Sequence, residues 1–209
     1  GQNVGGIVGY INGGYSSAVK SITNCVNTGR ISSSSNNAGG IVGYIYGQVS
    51  LDSCYNRGTI TGGGWRAGGI TAYLYSSYAT IKNCYTTGSV SGSDSNPVIG
   101  KKDRGTIKDC YYLGTPGTDP NATAKTSDEL KALAPTLGGA FITAPTGIND
   151  GYPIFRWQIP TYAVTFTVDP ADARVTIDGQ TGTQSGSNWT FALPDGEYNY
   201  TVSAFGYGA

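Results

Sequence analysis

Four cysteines recur at near-constant spacing, each inside the same short phrase. The segments read Asn24-Cys25-Val26-Asn27-Thr28-Gly29, Ser53-Cys54-Tyr55-Asn56-Arg57-Gly58, Asn83-Cys84-Tyr85-Thr86-Thr87-Gly88 and Asp109-Cys110-Tyr111-Tyr112-Leu113-Gly114. Spacings of 29, 30 and 26 residues between the cysteines mark one structural unit copied and stacked. Upstream of each cysteine lies a glycine-apolar signature: Gly5-Gly6-Ile7-Val8-Gly9-Tyr10-Ile11, Gly39-Gly40-Ile41-Val42-Gly43-Tyr44-Ile45, Gly68-Gly69-Ile70-Thr71-Ala72-Tyr73-Leu74, and a reduced Pro97-Val98-Ile99-Gly100. An aliphatic residue (Ile22, Leu51, Ile81, Ile107) stands three positions before each cysteine, and Arg30-Ile31, Thr59-Ile60 and Ser89-Val90 follow it. Each copy is therefore three short β-prone runs joined by Gly, Asn, Ser and Thr, residues that accept or stabilise tight corners.

No copy shows the i, i+3, i+4, i+7 spacing of an amphipathic helix. The expected fold class is all-β: a right-handed parallel β-helix, a solenoid of about four coils, with a short helical cap and a small C-terminal antiparallel β-sandwich. The hand follows from the crossover rule. Coils about 4.8 Å apart stack equivalent residues in columns. Ile7, Ile41 and Ile70 form one column, Cys25, Cys54, Cys84 and Cys110 a second, and Ile31, Ile60 and Val90 a third. That spacing lies within reach of a disulfide, but an in-register ladder strains the dihedral of the bond. The reading is a reduced, buried thiol ladder, in which cysteine packs as a small hydrophobe.

These motifs resemble the GLUG repeats of bacterial surface proteins, over residues 1–157. The resemblance extends beyond the coils to Thr126-Ser127-Asp128-Glu129-Leu130-Lys131 and to Asn149-Asp150-Gly151-Tyr152-Pro153-Ile154-Phe155-Arg156-Trp157. The alternating apolar pattern from Tyr162, with turns at Asp169-Pro170, Asp178-Gly179 and Asp195-Gly196, is similar to PEGA and carboxypeptidase-regulatory-like β-sandwich modules. The organisation expected is residues 1–114 as repeats, 115–160 as linker and capping segment with one helix over 127–134, and 161–209 as a PEGA-like module, truncated or minimal. Thr126 and Glu129 form a capping-box pattern. The helix, Phe141, Ile154, Phe155 and Trp157 are expected to cover the solenoid end, where open strand edges invite aggregation.

The chain has no histidine, which removes Ser-His and Cys-His nucleophilic pairs and the commonest zinc ligand. The acids of the repeats, Asp52, Asp94, Asp103 and Asp109, are scattered. Asp52 and Asp109 fall two coils apart, about 10 Å, which is wide for a glycosidase pair. Asp169, Asp172 and Asp178 read as turn acids, not calcium ligands. No catalytic residue, metal or cofactor is expected. Residues 1–114 hold nine Lys or Arg and four Asp or Glu; residues 115–209 hold four and nine. The basic residues form no continuous nucleic-acid face, and no apolar run spans a membrane. Low charge (12%) and 33 glycines fit an extracellular, cell-surface or wall-associated protein, of which this chain reads as a piece.

The aromatics are the candidate contact residues. Tyr10, Tyr44 and Tyr73 align in one column, Tyr55, Tyr85 and Tyr111 in another, with Trp65, Tyr15, Tyr46, Tyr75 and Tyr78 in adjoining loops. Either the columns stack for stability or they form an exposed strip that meets a host or cell-wall glycan or a surface protein. The function expected is a non-enzymatic adhesin or stalk fragment, the alternative a carbohydrate-binding or polysaccharide-processing β-helix module.

Overall fold

The computed structural model describes residues 2–15 and 18–204. Gly1, residues 16–17 and residues 205–209, at the end of the PEGA-like stretch, lie outside the described residues. The chain divides into two compact units, Gly1–Phe155 and Arg156–Ala209.

The first unit is a parallel β-solenoid of about three turns, and each turn has four faces. The first face stacks Asn3–Gly5, Asn37–Gly39, Arg66–Gly68 and Asp94–Asn96. The second stacks Val8–Asn12, Val42–Tyr46, Thr71–Tyr75 and Ile99–Lys102. The third holds Lys20–Thr23, Val49–Asp52, Thr80–Thr86 and Thr106–Leu113, and the fourth Ile31–Ser33, Ile60–Gly62 and Val90–Ser91. Four faces per turn replace the three strands read from the sequence, and Val26–Asn27 and Tyr55–Asn56 continue the third face past the cysteine. The Gly-Gly pair does not begin a strand; it is the corner between the first and second faces. A Cβ on Gly40 would lie 1.9 Å from the Gly69 carbonyl oxygen and 2.7 Å from the Asn56 side chain, so no larger residue fits there.

Registers are in step throughout. Cys84 faces Cys110, Ile60 lies between Ile31 and Val90, and Tyr44 lies between Tyr10 and Tyr73. The residue before each cysteine is left-handed: Asn24, Ser53, Asn83 and Asp109 have φ of 53°, 53°, 53° and 49°. Asn and Asp tolerate this region better than most residues. The kink reverses side-chain parity, so Ile81 and Cys84, three apart, both point inward, whereas a straight strand would place them on opposite sides. Each thiol then donates to the carbonyl two residues back, at 3.2 Å (Cys25 to Thr23), 3.4 Å (Cys54 to Asp52), 3.1 Å (Cys84 to Lys82) and 3.3 Å (Cys110 to Lys108). All four cysteines are free; Cys54, Cys84 and Cys110 are buried, and Cys25 is half-exposed. Ile7 of the same first turn is 47% exposed, against 0% for Ile41 and Ile70, each of which lies between two rungs.

The asparagine two positions after the cysteine closes the next corner. Asn56 Nδ2 donates to Gly58 O, its Oδ1 accepts from Gly58 N, and Asn27 Nδ2 reaches Asn56 Oδ1 at 2.7 Å. In the fourth copy Tyr112 takes this place, and its hydroxyl donates to Thr115 O at 2.8 Å.

The far end is closed by two devices. Thr123–Lys125 adds a parallel strand to Tyr111–Leu113. On the second face, the N–H groups of Ile41 and Val42 share the Ile70 carbonyl, and those of Ile70 and Thr71 share the Val98 carbonyl. Val98 and Ile99 have no further rung, and both donate to Asp119 Oδ2, at 2.8 and 3.1 Å. The buried carboxylate thus stands in for the carbonyl of the missing rung.

The segment expected to cap the end lies instead along the flank of the third face. Thr126 and Glu129 form the capping box of helix α1, Ser127–Lys131, shorter than the expected 127–134; Pro135 falls in a separate 3-10 turn, Ala134–Thr136. Leu130, Leu133, Leu137, Phe141, Tyr152 and Phe155 enclose Tyr55 and Tyr85 in one apolar cluster. Asn149 fastens it: Nδ2 donates to the Tyr85 hydroxyl at 3.0 Å and the Pro153 carbonyl at 3.1 Å, and Oδ1 accepts from Arg57 at 2.8 Å. Arg57 also pairs with Asp150. Trp157, grouped with the cap in the sequence, belongs to the second unit and is exposed.

The second unit holds two three-stranded antiparallel sheets. Tyr162–Thr167, Asn188–Leu193 and Thr183–Ser185 form one; Gln180–Thr181, Arg174–Ile177 and Tyr200–Ser203 form the other. Val175, Ile177, Trp189 and Phe191 join them in one cluster, and Trp189 Nε1 donates to Ala173 O at 2.8 Å.

Two substitutions test these corners and ends. Asp119→Ala leaves two buried N–H groups unpaired and is expected to lower unfolding free energy by about 2–4 kcal/mol, while Asp119→Asn, which keeps an acceptor, loses less. Asn24→Val is expected to lose about 1–2 kcal/mol to left-handed strain, and Asn24→Gly to be nearly neutral. Urea titrations of the four variants check both.

Candidate functional site

The second face of the solenoid carries the aromatic surface. Ile45 and Leu74 point into the core, so their neighbours Tyr44, Tyr46, Tyr73 and Tyr75 point out. Tyr10, Tyr44 and Tyr73 make one row, with centroids 5.3 and 5.0 Å apart. Tyr46 and Tyr75 make a second, 6.0 Å apart, and Tyr73 lies 5.8 Å from Tyr75. Tyr15 closes one side: its hydroxyl donates to that of Tyr46 at 2.8 Å, and its ring meets Tyr46 and Tyr78 edge-on. Tyr10 (49%), Trp65 (58%) and Tyr78 (64%) are well exposed.

Ring orientation decides what this surface offers. Tyr44 and Tyr73 are 12° from parallel, and Tyr46 and Tyr75 9°. The rings therefore cover each other's faces, a favourable offset arrangement worth about 0.5–1.5 kcal/mol per pair, and turn edges and hydroxyls toward solvent. The remaining face of Tyr73 is taken by the Arg66 guanidinium, 3.9 Å from the centroid, which also lies 5.2 Å from Trp65. The rows form a hydrogen-bonding face with aromatic edges.

The row ends in charge. Lys101 is the next rung after Tyr73. The Tyr73 hydroxyl donates to the Asp103 carboxylate, whose other oxygen is 3.9 Å from Lys101 Nζ. Arg104 lies 5.9 Å from the Tyr75 centroid. Burial first, then the bond to Asp103, pushes the Tyr73 phenol up to about 12. Burial and the nearby Tyr10 raise Tyr44 as well.

The second tyrosine column is not part of this surface. Tyr55 and Tyr85 are 0% exposed beneath the flank segment, stacked 4.8 Å apart, and Tyr111 packs against the same cluster. The expected contact role is corrected for Tyr55 and Tyr85: both columns have the same period, but residues 126–155 cover one. The thiols face the interior of the stack. Burial holds the Cys84 thiol well above its ordinary range, opposite to what a nucleophile needs. Asp52 accepts from Ser53 and Asn83 and pairs with Lys82 at 3.1 Å. Asp109 is in the adjoining corner column two turns on. Among the described residues, no three His, Cys, Asp or Glu side chains group as a metal site. Asp178 caps a turn by accepting from Asn199 N at 3.3 Å.

The second unit has a cleft of about 450 Å³ between its sheets, lined by Tyr162, Val164, Phe166, Leu193, Tyr198 and Tyr200, with Asp195 at its rim. The alternating pattern of Tyr162–Thr167 placed these side chains on one side of the strand, but not the gap they border.

No protein-family model matches the chain, and no curated protein sequence matches it. Its fold resembles that of a Bacteroides ovatus protein described as a "putative immunoglobulin A1 protease", with a TM-score of 0.60 and 22% identity. The likeness covers 73% of this chain and 52% of that one, so the chain spans about half the length of its structural neighbour. At this identity the likeness is one of fold: an all-β protein built on a β-solenoid.

Because the folded state holds the Tyr73 proton more tightly than an unfolded phenol near 10, stability is unaffected below pH 10. It is expected to fall as pH rises from about 10 to about 12. Tyr73→Phe is expected to flatten that alkaline slope, measured as melting temperature against pH.

Proposed function

We propose that this chain is a non-enzymatic part of a bacterial cell-surface or secreted protein, an adhesion module or stalk. Its tyrosine face would meet a host or cell-wall glycan or a surface protein. The observation that supports a contact role is the two-row tyrosine face. Its inward neighbours Ile45 and Leu74 already supply the core, yet its outward residues are repeatedly aromatic where a solvated sheet face is ordinarily polar. The GLUG-like repeats, read as about four right-handed coils, and the PEGA-like sandwich module fit the same reading.

The name given to the Bacteroides ovatus protein raises a protease alternative. Against it stand the missing histidine and the burial of Cys54, Cys84 and Cys110 in the ladder. A polysaccharide-processing role would draw on Asp52 and Asp109, which are engaged in separate surface pairs with Lys82 and Lys108.

Glycan arrays and surface-protein panels test the proposal. The wild-type chain is expected to bind a defined ligand. The double variant Tyr10→Ser, Tyr75→Ser is expected to lose at least tenfold in affinity, with the melting temperature changed by only a few degrees. Release of new reducing ends from a polysaccharide, or of peptides from a protein substrate, would overturn the non-enzymatic reading.

A further inference from the structure

We infer that the tyrosine face recognises an acidic polysaccharide, seating its carboxylate or sulfate groups on the Tyr44 and Tyr10 hydroxyls, in the row that ends at Arg66 and Lys101. The inference rests on the contact role just proposed and narrows it to one ligand chemistry.

The first support is an acid already seated there. The Asp103 carboxylate takes the Tyr73 hydroxyl and faces the Lys101 ammonium. It is an internal copy of the contact that a ligand acid would make one rung away. The hydroxyls of Tyr44 and Tyr10 repeat the Tyr73 position and have no hydrogen-bond partner among the described residues. A phenol hydroxyl can donate to an acid oxygen, as acid binding requires.

Charge is the second support. Arg66, Lys101 and Arg104 gather at this end of the face, against Asp94 and Asp103. The Arg66 guanidinium lies over the Tyr73 ring, 3.9 Å from its centroid, and brings its charge to the row. Beside Lys101 an open polar recess of about 430 Å³ is lined by Ser93, Asp94, Ser95, Asn96 and Gly100, room for a hydroxylated ring.

A polysaccharide suits the shape better than a peptide. Peptides dock by adding a strand to a free edge or by anchoring side chains in apolar pockets. The central strands Val42–Tyr46 and Thr71–Tyr75, which carry Tyr44, Tyr46, Tyr73 and Tyr75, are paired on both sides and offer no edge, and the recess beside the row is polar. A face of hydroxyls repeating every rung matches a linear polymer whose acids and hydroxyls also repeat.

The test is binding of the whole chain to polygalacturonate, chondroitin sulfate and neutral dextran, by calorimetry at low and physiological salt. Both acidic polymers are expected to bind, more weakly as salt rises, and dextran not to bind. Tyr44→Phe, which keeps the stacked ring and removes the hydroxyl, is expected to weaken binding several-fold. Arg66→Gln with Lys101→Gln is expected to weaken it about tenfold or more. Circular dichroism melts confirm that each variant is folded, and Lys20→Gln, on the third face, is expected to bind as wild type. Equal binding to dextran, or no effect of Tyr44→Phe, overturns the acid-seat inference while a glycan-contact role stands. Binding to none of the polymers, with a protein ligand still bound through Tyr10 and Tyr75, overturns it in favour of protein recognition.

Discussion

The left-handed residue before each cysteine is the constraint on which the solenoid depends. It bends the third face into a corner and turns both the aliphatic residue and the cysteine inward across an odd spacing. It also leaves a carbonyl that the thiol can satisfy without leaving the interior. A buried polar group that lacks such a partner would cost about 1–3 kcal/mol. The Asn-Cys phrase is therefore a piece of corner geometry: Asn, Ser or Asp permits the backbone, and cysteine is small and apolar enough to fill the stack while donating weakly. A serine would carry a stronger donor but a poorer transfer energy.

Within the first unit, the segments that follow the coils are fastened to this frame, two of them by groups that imitate a coil. Asp119 supplies the oxygen that the next carbonyl would have supplied, and Thr123–Lys125 supplies the next strand. The flank segment presses an apolar layer on Tyr55 and Tyr85 and is pinned by Asn149 and Arg57. The second face keeps its aromatic side chains exposed, whereas Tyr55 and Tyr85 are covered. Function is assigned to it because covering one tyrosine column makes the exposure of the other a property to be explained.

Much of this was legible in the sequence, for local reasons. The fixed period gave the stacking, the aliphatic-Cys pair gave the core columns, and Thr126 with Glu129 gave the helix start. The first-face strands escaped because Asn37–Gly39 is three small or polar residues with no alternation to detect. Their signal was the shared Asn3 and Asn37, whose side chains bond across rungs. Asp119 was hidden in a turn-rich stretch, where an acid has many uses. The fates of Tyr44 and Tyr55 could not be told apart, since each repeats at the coil period and only the non-local return of residues 126–155 separates them. Ring orientation was likewise invisible, yet it turns a surface suited to stacking sugars into one suited to hydrogen-bonding them.

The closed end of the solenoid reaches into its motions. In a stack where each turn touches only its neighbours, stability is shared turn by turn along the axis. The last turn has a carboxylate and an added strand against it, and Tyr55 and Tyr85 lie beneath the flank segment. Amide protection is thus highest in the turns beneath that segment, and the closed end acts as a clamp on the stack.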